Sequence, residues 1–325
     1  MINLLYLIFL FIIAYLTIFF AADVFLDNLK DICLIYGLSP FIVGAIILGI
    51  DPEESIASII ASTSNLPYLA VGNVIGNSII ALTVSFAIPA FFYKIEFKSI
   101  SQFYFILLYL CMGFLLIGFF LQYGILVSGI LALILYFIYL NRNLRQVSKE
   151  NIIQNDSINA INRNSENNPE LGNKSIGKKI VLVIMGFIFI FLGGELLIFS
   201  AERLIKLTNI PETFFGLVII AFITNVEELT LVAKSIKNKS VEIGLGGMIG
   251  KIFWNLAITF GVSGIIILNF NFSLIIFWNW MLLFILLFYF NLISKKKFLY
   301  WKQAIVLTIF LFSFLFLNFT ENFFN

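Results

Sequence analysis

Ten long apolar runs separated by polar breaks set the pattern of this chain: residues 3–22, 38–62, 68–92, 102–120, 122–141, 179–205, 211–234, 242–268, 273–292 and 302–319. Crossing the hydrocarbon core of a bilayer takes about 20 predominantly apolar residues in an α-helix. The pattern therefore predicts an all-α polytopic membrane protein with ten transmembrane helices. The first run has no basic stretch before it and is long for the apolar core of a secretory signal, so it reads as a retained helix. Composition agrees. Of 325 residues, 61% are hydrophobic and 12% charged, whereas soluble domains are about 45–50% apolar.

Basic residues divide unevenly among the breaks. Alternate breaks hold Lys30; Lys94 and Lys98; Arg142, Arg145, Lys149, Arg163, Lys174, Lys178 and Lys179; Lys234, Lys237 and Lys239; and Lys295, Lys296, Lys297 and Lys302. The opposite breaks hold only Arg203 and Lys206. Cytoplasmic loops carry the excess of Lys and Arg, so the rich side is expected to face the cytoplasm of a plasma (inner) membrane, with both termini outside. A wrong helix count would scramble this parity, so the clean split supports ten helices.

The break at 142–178 is the only long one. It is rich in asparagine (Asn151, Asn155, Asn159, Asn162, Asn164, Asn167 and Asn168) and poor in large apolar residues. Segments this short seldom fold without staples, so it reads as a flexible cytoplasmic linker between two parts, 1–141 and 179–325.

Those parts repeat one another. The first reads Asp51-Pro-Glu-Glu54 and then Ala70-Val-Gly72-Asn-Val-Ile-Gly76; the second reads Asn225-Val-Glu-Glu228 and then Gly244-Leu-Gly246-Gly-Met-Ile-Gly250. Glu54 precedes Gly72 by 18 residues, as Glu228 precedes Gly246, and the offset between copies is 174 throughout. Upstream, Gly44 pairs with Gly216 and Asp23 with Glu195 at an offset of 172. Each part holds five helices, an odd number, so the copies cross the membrane in opposite directions. This is the inverted-repeat plan of secondary transporters.

Carboxylates in the middle of spanning helices are costly, about 2.5–3.5 kcal/mol for a central Asp on insertion scales. Asp51, Glu53 and Glu54 fall within one apolar run, and Glu227 and Glu228 within its counterpart. If the helices ended earlier these groups would sit in water, but both copies place Glu-Glu at the same point between two apolar stretches. The reading that fits is a helix break. Gly49, Ile50 and Pro52 weaken one helix, and Ile223, Thr224 and Asn225 the other; Pro also removes a backbone donor. Irregular backbone at membrane depth is tolerated where it lines a cavity or is buried in protein. Carboxylates, amide oxygens and freed carbonyls are what a hard cation such as calcium coordinates. Gly72 and Gly76, with Gly246, Gly247 and Gly250, make helix faces that let a neighbour approach closely. One turn beyond lie Asn77 and Ser78, and in the second half Lys251 and Asn255.

There is no histidine, which removes His-based acid–base chemistry and His-type zinc or haem sites. Cys33 and Cys111 lie in apolar runs and read as small core residues. No Gly-x-x-x-x-Gly-Lys-Ser/Thr phosphate loop occurs. The chain is therefore read as a transporter rather than an enzyme, without resident cofactor or nucleic-acid partner. An aspartyl dyad built on Asp51 and another carboxylate is the one enzymatic chemistry left open.

These residues resemble the sodium/calcium exchanger superfamily, the calcium/cation antiporters. Members carry Gly-Thr-Ser-x-Pro-Glu in each repeat and, 18 residues after the Glu, Gly-Asn-x-x-Gly-Ser. The chain also has the family's approach to the second helix, as Gly37-Leu-Ser39-Pro-Phe-Ile-Val-Gly44. The resemblance implies a secondary antiporter, most simply of sodium against calcium, in which the first and sixth helices slide against a rigid core. It implies metal ligation by Glu54 and Glu228, supported by Asp51, Thr224, Asn225, Asn255 and Asn77. The chain departs from the family at Ile50, which replaces a threonine, at Ala81, which replaces an amide ligand, and at Gly247, which replaces an asparagine. Lys251 stands where a serine helps bind sodium. An ammonium inside the bundle must be paired, unless it snorkels to the cytoplasmic face. The expectation is that it pairs with Asp51 or a glutamate and fills a flanking cation place with fixed charge. Two alternatives stay open: a proton-coupled divalent-cation antiporter, and a non-transporting scaffold derived from the same fold.

Overall fold

The structure, a computed structural model, describes residues 2–35, 49–96, 101–121, 123–158, 169–225, 228–229, 232–233, 236, 241–268 and 270–324. The described chain is helical apart from one two-stranded ribbon. α1 (Ile2–Ile35) is followed by α2 (Pro52–Thr63), α3 (Pro67–Phe92), α4 (Gln102–Phe120) and α5 (Gly124–Ile158). The second half opens with α6 (Pro169–Thr208). Its next segment runs as α7 (Glu212–Phe214), a π-helical stretch (Phe215–Ile220) and α8 (Ala221–Thr224). α9 (Val241–Trp254) continues through a second π stretch (Asn255–Thr259) into α10 (Phe260–Ile266), and α11 (Leu274–Lys296) and α12 (Trp301–Phe324) close the chain. β1 (Ile95–Glu96) and β2 (Phe298–Leu299) pair antiparallel, Ile95 opposite Leu299.

Eight of the described helical segments are long and apolar enough to cross a membrane. The second and seventh places are held by interrupted segments around α2 and α7–α8, which completes ten membrane segments in two five-segment halves. The approach to α2, with Gly37, Ser39 and Gly44, lies outside the described residues, as does Glu227.

Helix ends and apolar runs do not coincide. α1 continues to Ile35, beyond the run ending at 22, and α5 to Ile158, while α6 begins at Pro169. The described parts of 142–178, up to Ile158 and from Pro169, are thus helical. Hydropathy reports bilayer thickness, whereas an established helix extends by one hydrogen bond per residue without a new nucleation cost.

α3 is the central helix. Most side chains from Leu69 to Ala90 are buried. It packs backbone to backbone on the π stretch of the seventh segment. A Cβ on Gly76 would run into the Leu217 backbone, with Leu217 Cα only 2.8 Å away, and one on Gly216 into the Leu69 backbone. Gly76→Ala should therefore overpack a contact that cannot yield, at a cost of about 1–3 kcal/mol. Thermal unfolding in detergent would register this as a lower midpoint; an unchanged midpoint would contradict the packing.

α1 and α6 form a separate pair. Gly186 lies against Ala21 and Phe25, and Gly193 against Ala14 and Ile18. Lys179 and Asp31 form an ion pair between them. Their outer faces present Leu5, Phe9, Phe20, Phe187, Phe191 and Leu192, apolar surface suited to lipid. The pair meets the rest of the bundle where Gly194 packs on Ile56 and Ile60 of α2.

Candidate functional site

α2 starts in the middle of the bundle. Asp51 is its N-cap: the Asp51 carboxylate accepts the Glu54 backbone N–H at 3.2 Å, and Pro52 takes the first helical position. Pro is suited there because that N–H has no intrahelical partner. Glu53 and Glu54 fall in the first turn, where the helix dipole favours negative charge. In the second half α8 ends at Thr224 with Asn225 as its C-cap. Both breaks sit where the sequence weakens the helix.

One carboxylate oxygen each from Asp51, Glu54 and Glu228 lie within 4.8 Å of one another, and all three residues are buried. Lys251, from the last turn of α9, enters this group. Its Nζ is 2.9 Å from Asp51 Oδ2 and 3.9 Å from Glu54 Oε1, and it contacts Glu228 Oε1. Lys251 is inside the cluster and not extended to an outer face.

Amides and hydroxyls join the two repeats around the carboxylates. Asn255 Nδ2 donates to Glu54 Oε2, and also to Asn77 Oδ1 at 3.3 Å. Asn77 Nδ2 donates to Thr224 Oγ1 at 2.9 Å. Asn225 Nδ2 donates to the carbonyls of Ala221 at 2.7 Å and Asn77 at 3.4 Å. All seven residues singled out as ligands, and Lys251, thus lie in one connected buried group. Of the departures, Ala81 and Gly247 are buried and Ile50 is half-buried; none of the three carries a side-chain oxygen.

Sequence reasoning missed the layer behind this group. Ser55 Oγ donates to Asp51 O at 2.6 Å, lies 2.7 Å from Thr259 Oγ1, and accepts from Trp254 Nε1 at 2.7 Å. Asn73 Nδ2 donates to Ser58 Oγ at 2.9 Å, tying α2 to α3. The available signal was a polar stripe, Ser55 and Ser58 on one helix and Asn73 and Asn77 on the next. Losing such a supporting contact typically weakens a metal site 10–100-fold. If the group holds a hard cation such as calcium, Ser55→Ala is expected to weaken its binding by about tenfold, the lower end of that range. Isothermal titration would check this, and unaltered affinity would remove Ser55 from the site's support.

Three carboxylates, a threonine hydroxyl and several amides form a hard-oxygen donor set of the kind calcium selects, with an ammonium as internal counter-charge. Comparison with known proteins bears on this geometry. A family profile described as sodium/calcium exchanger protein matches residues 6–144 and 178–320. An uncharacterized membrane protein of Methanocaldococcus jannaschii is 27% identical over 246 residues, 74% of this chain and 75% of the relative. Solved structures of the sodium-calcium exchanger NCX_Mj share the fold. One, soaked with 10 mM Na+ and no Ca2+, has a TM-score of 0.61 at 21% identity, covering 95% of this chain and 97% of that one. Another, soaked with 2.5 mM Na+ and 1 mM Sr2+, has a TM-score of 0.60 at 20% identity, covering 96% and 97%.

Proposed function

The chain belongs to the sodium/calcium exchanger family, and on that premise we propose that it is a secondary active antiporter exchanging calcium for sodium across the plasma membrane by alternating access. The observation that carries this is the meeting of Glu54 and Glu228, one from each inverted repeat, with Asp51 in a single buried group. Family membership supports ion exchange rather than enzymatic catalysis. The transported cation is cargo: Glu54 and Glu228 hold it, and Asp51, Thr224, Asn225, Asn255 and Asn77 complete or orient its shell. An ion gradient supplies the energy. Access alternates as the α1–α6 pair slides on the core. The tight glycine contacts and the Asp31–Lys179 pair support its moving as one body.

Purified protein in sealed vesicles loaded with sodium should accumulate external calcium until the sodium gradient is dissipated. If no calcium, sodium or proton movement followed any counter-gradient, the proposal would fail, and a non-transporting scaffold would be the better reading. A proton-coupled divalent-cation antiporter is the second reading. It is favoured by the ammonium of Lys251 within the cluster and by the missing side-chain oxygens at Ile50 and Ala81. Calcium uptake driven by a pH jump without sodium would select it.

Orientation is proposed from charge: both termini outside, and 142–178 in the cytoplasm. On a cysteine-free background, an impermeant maleimide should label Asn209→Cys in intact cells, and Lys296→Cys only after permeabilisation. The reverse pattern would invert the topology.

A further inference from the structure

We propose that Lys251 is a built-in countercation: its ammonium holds one cation place in the carboxylate cluster, so the site loads with one divalent or two monovalent cations and exchange moves no net charge. This rests on the exchanger reading above and adds its stoichiometry.

The Lys251 ammonium faces Asp51 Oδ2 and Glu228 Oε1. Glu54 Oε1, 3.9 Å from Nζ, is outside direct hydrogen-bond range. Glu54 Oε1, Glu228 Oε2 and Asn225 Oδ1 are buried oxygens without a hydrogen-bond donor among the described residues. Buried acceptors of this kind are normally satisfied, and an ionised carboxylate left so is the costliest case. These oxygens are the ones available to an incoming cation, while the Asp51 edge stays with Lys251. Asp51 is held there from its other side, because its Oδ1 caps α2.

Charge then sets the loading. Among the described residues of the cluster, Asp51, Glu54 and Glu228 contribute three formal negative charges and Lys251 one positive, leaving two negative; Glu53, also buried in the first turn of α2, is not one of the clustered carboxylates. When the bundle closes over the site, a residual charge is isolated from water, and burying an uncompensated charge is strongly unfavourable. One divalent or two monovalent cations bring the group to neutrality; a third monovalent would not. Lys251 projects from α9, one turn after Gly247 and one turn before Asn255. It is placed by a helix and not by a mobile loop.

The test is the equilibrium calcium ratio in vesicles whose potential is clamped with potassium and valinomycin. With wild-type protein and a tenfold counter-ion gradient, the calcium ratio should settle near a hundredfold and stay there as the potential is varied. A sodium gradient at fixed pH and a pH gradient without sodium identify the counter-ion. Transfer of one net charge per cycle would instead shift the ratio about tenfold per 59 mV; seen in the wild type, that shift overturns this inference and leaves the exchanger reading standing. Lys251→Ser should acquire the voltage dependence and Lys251→Arg should not. A folded Lys251→Ser protein that stays voltage-independent also overturns the inference. Should that variant fail to insert, the wild-type voltage response decides alone. No calcium movement in any arm overturns the exchanger reading and this inference with it.

Discussion

Glu54→Gln protein, reconstituted at wild-type density, is expected to exchange cations at least about 100-fold more slowly than the wild type, and Glu228→Gln likewise. Outer-shell substitutions at metal sites already lose 10–100-fold in affinity, so removing a charged oxygen from the ligand set should reach or exceed the upper bound. The amide keeps the shape of the carboxylate. Glu54 Oε2 accepts from Asn255 Nδ2, and a glutamine oxygen can still do so. Folding should therefore survive while transport does not. The measurement is calcium flux into sodium-loaded vesicles alongside a thermal melt of the same preparation. Wild-type flux from either variant would mean that the carboxylates are not the ion site.

Removing the ammonium has the opposite signature. Lys251→Met keeps the bulk but strands Asp51, Glu54 and Glu228 near one another in buried surroundings. Breaking a buried ion pair from one side costs about 3–5 kcal/mol, so in cation-free buffer the variant should unfold well below the wild type. Added sodium or calcium replaces the missing charge and stabilises the fold by mass action. The midpoint of Lys251→Met should rise with cation concentration more steeply than that of the wild type. An equal response in both proteins would show that Lys251 does not share the site with the cargo.

Much of this arrangement was legible because two physical signals repeat. Apolar length marks the spans, and the break at Asp51-Pro52 and at Thr224-Asn225 is written in residues that weaken helices. The fixed spacing from Glu54 to Gly72 carries through to structure: the same helix face that bears Gly76 packs on Leu217, and Asn77, the next residue, reaches Thr224. Lys251 stood out because an intramembrane ammonium must find a partner.

Other features had no local signal. The π stretches Phe215–Ile220 and Asn255–Thr259 read as ordinary apolar helix in sequence. A π turn is rare and frequent at functional sites, and it depends on neighbours that hydropathy does not see. Asn255 opens one of these stretches. Ser55 and Thr259 were passed over because helical hydroxyls commonly bond back to the carbonyl four residues earlier. Ser55 does so with Asp51, yet its oxygen also meets Thr259 and Trp254 from the other half of the chain. Helix ends beyond the apolar runs, such as α1 to Ile35 and α5 to Ile158, follow from backbone propagation and leave no apolar mark.

The most direct test of the account is to crystallise the protein with calcium and locate the ion by anomalous scattering. One peak is expected, bonded to carboxylate oxygens of both Glu54 and Glu228 at about 2.3–2.6 Å, with Lys251 Nζ still on Asp51. A peak elsewhere, or an empty cluster at saturating calcium, would contradict it.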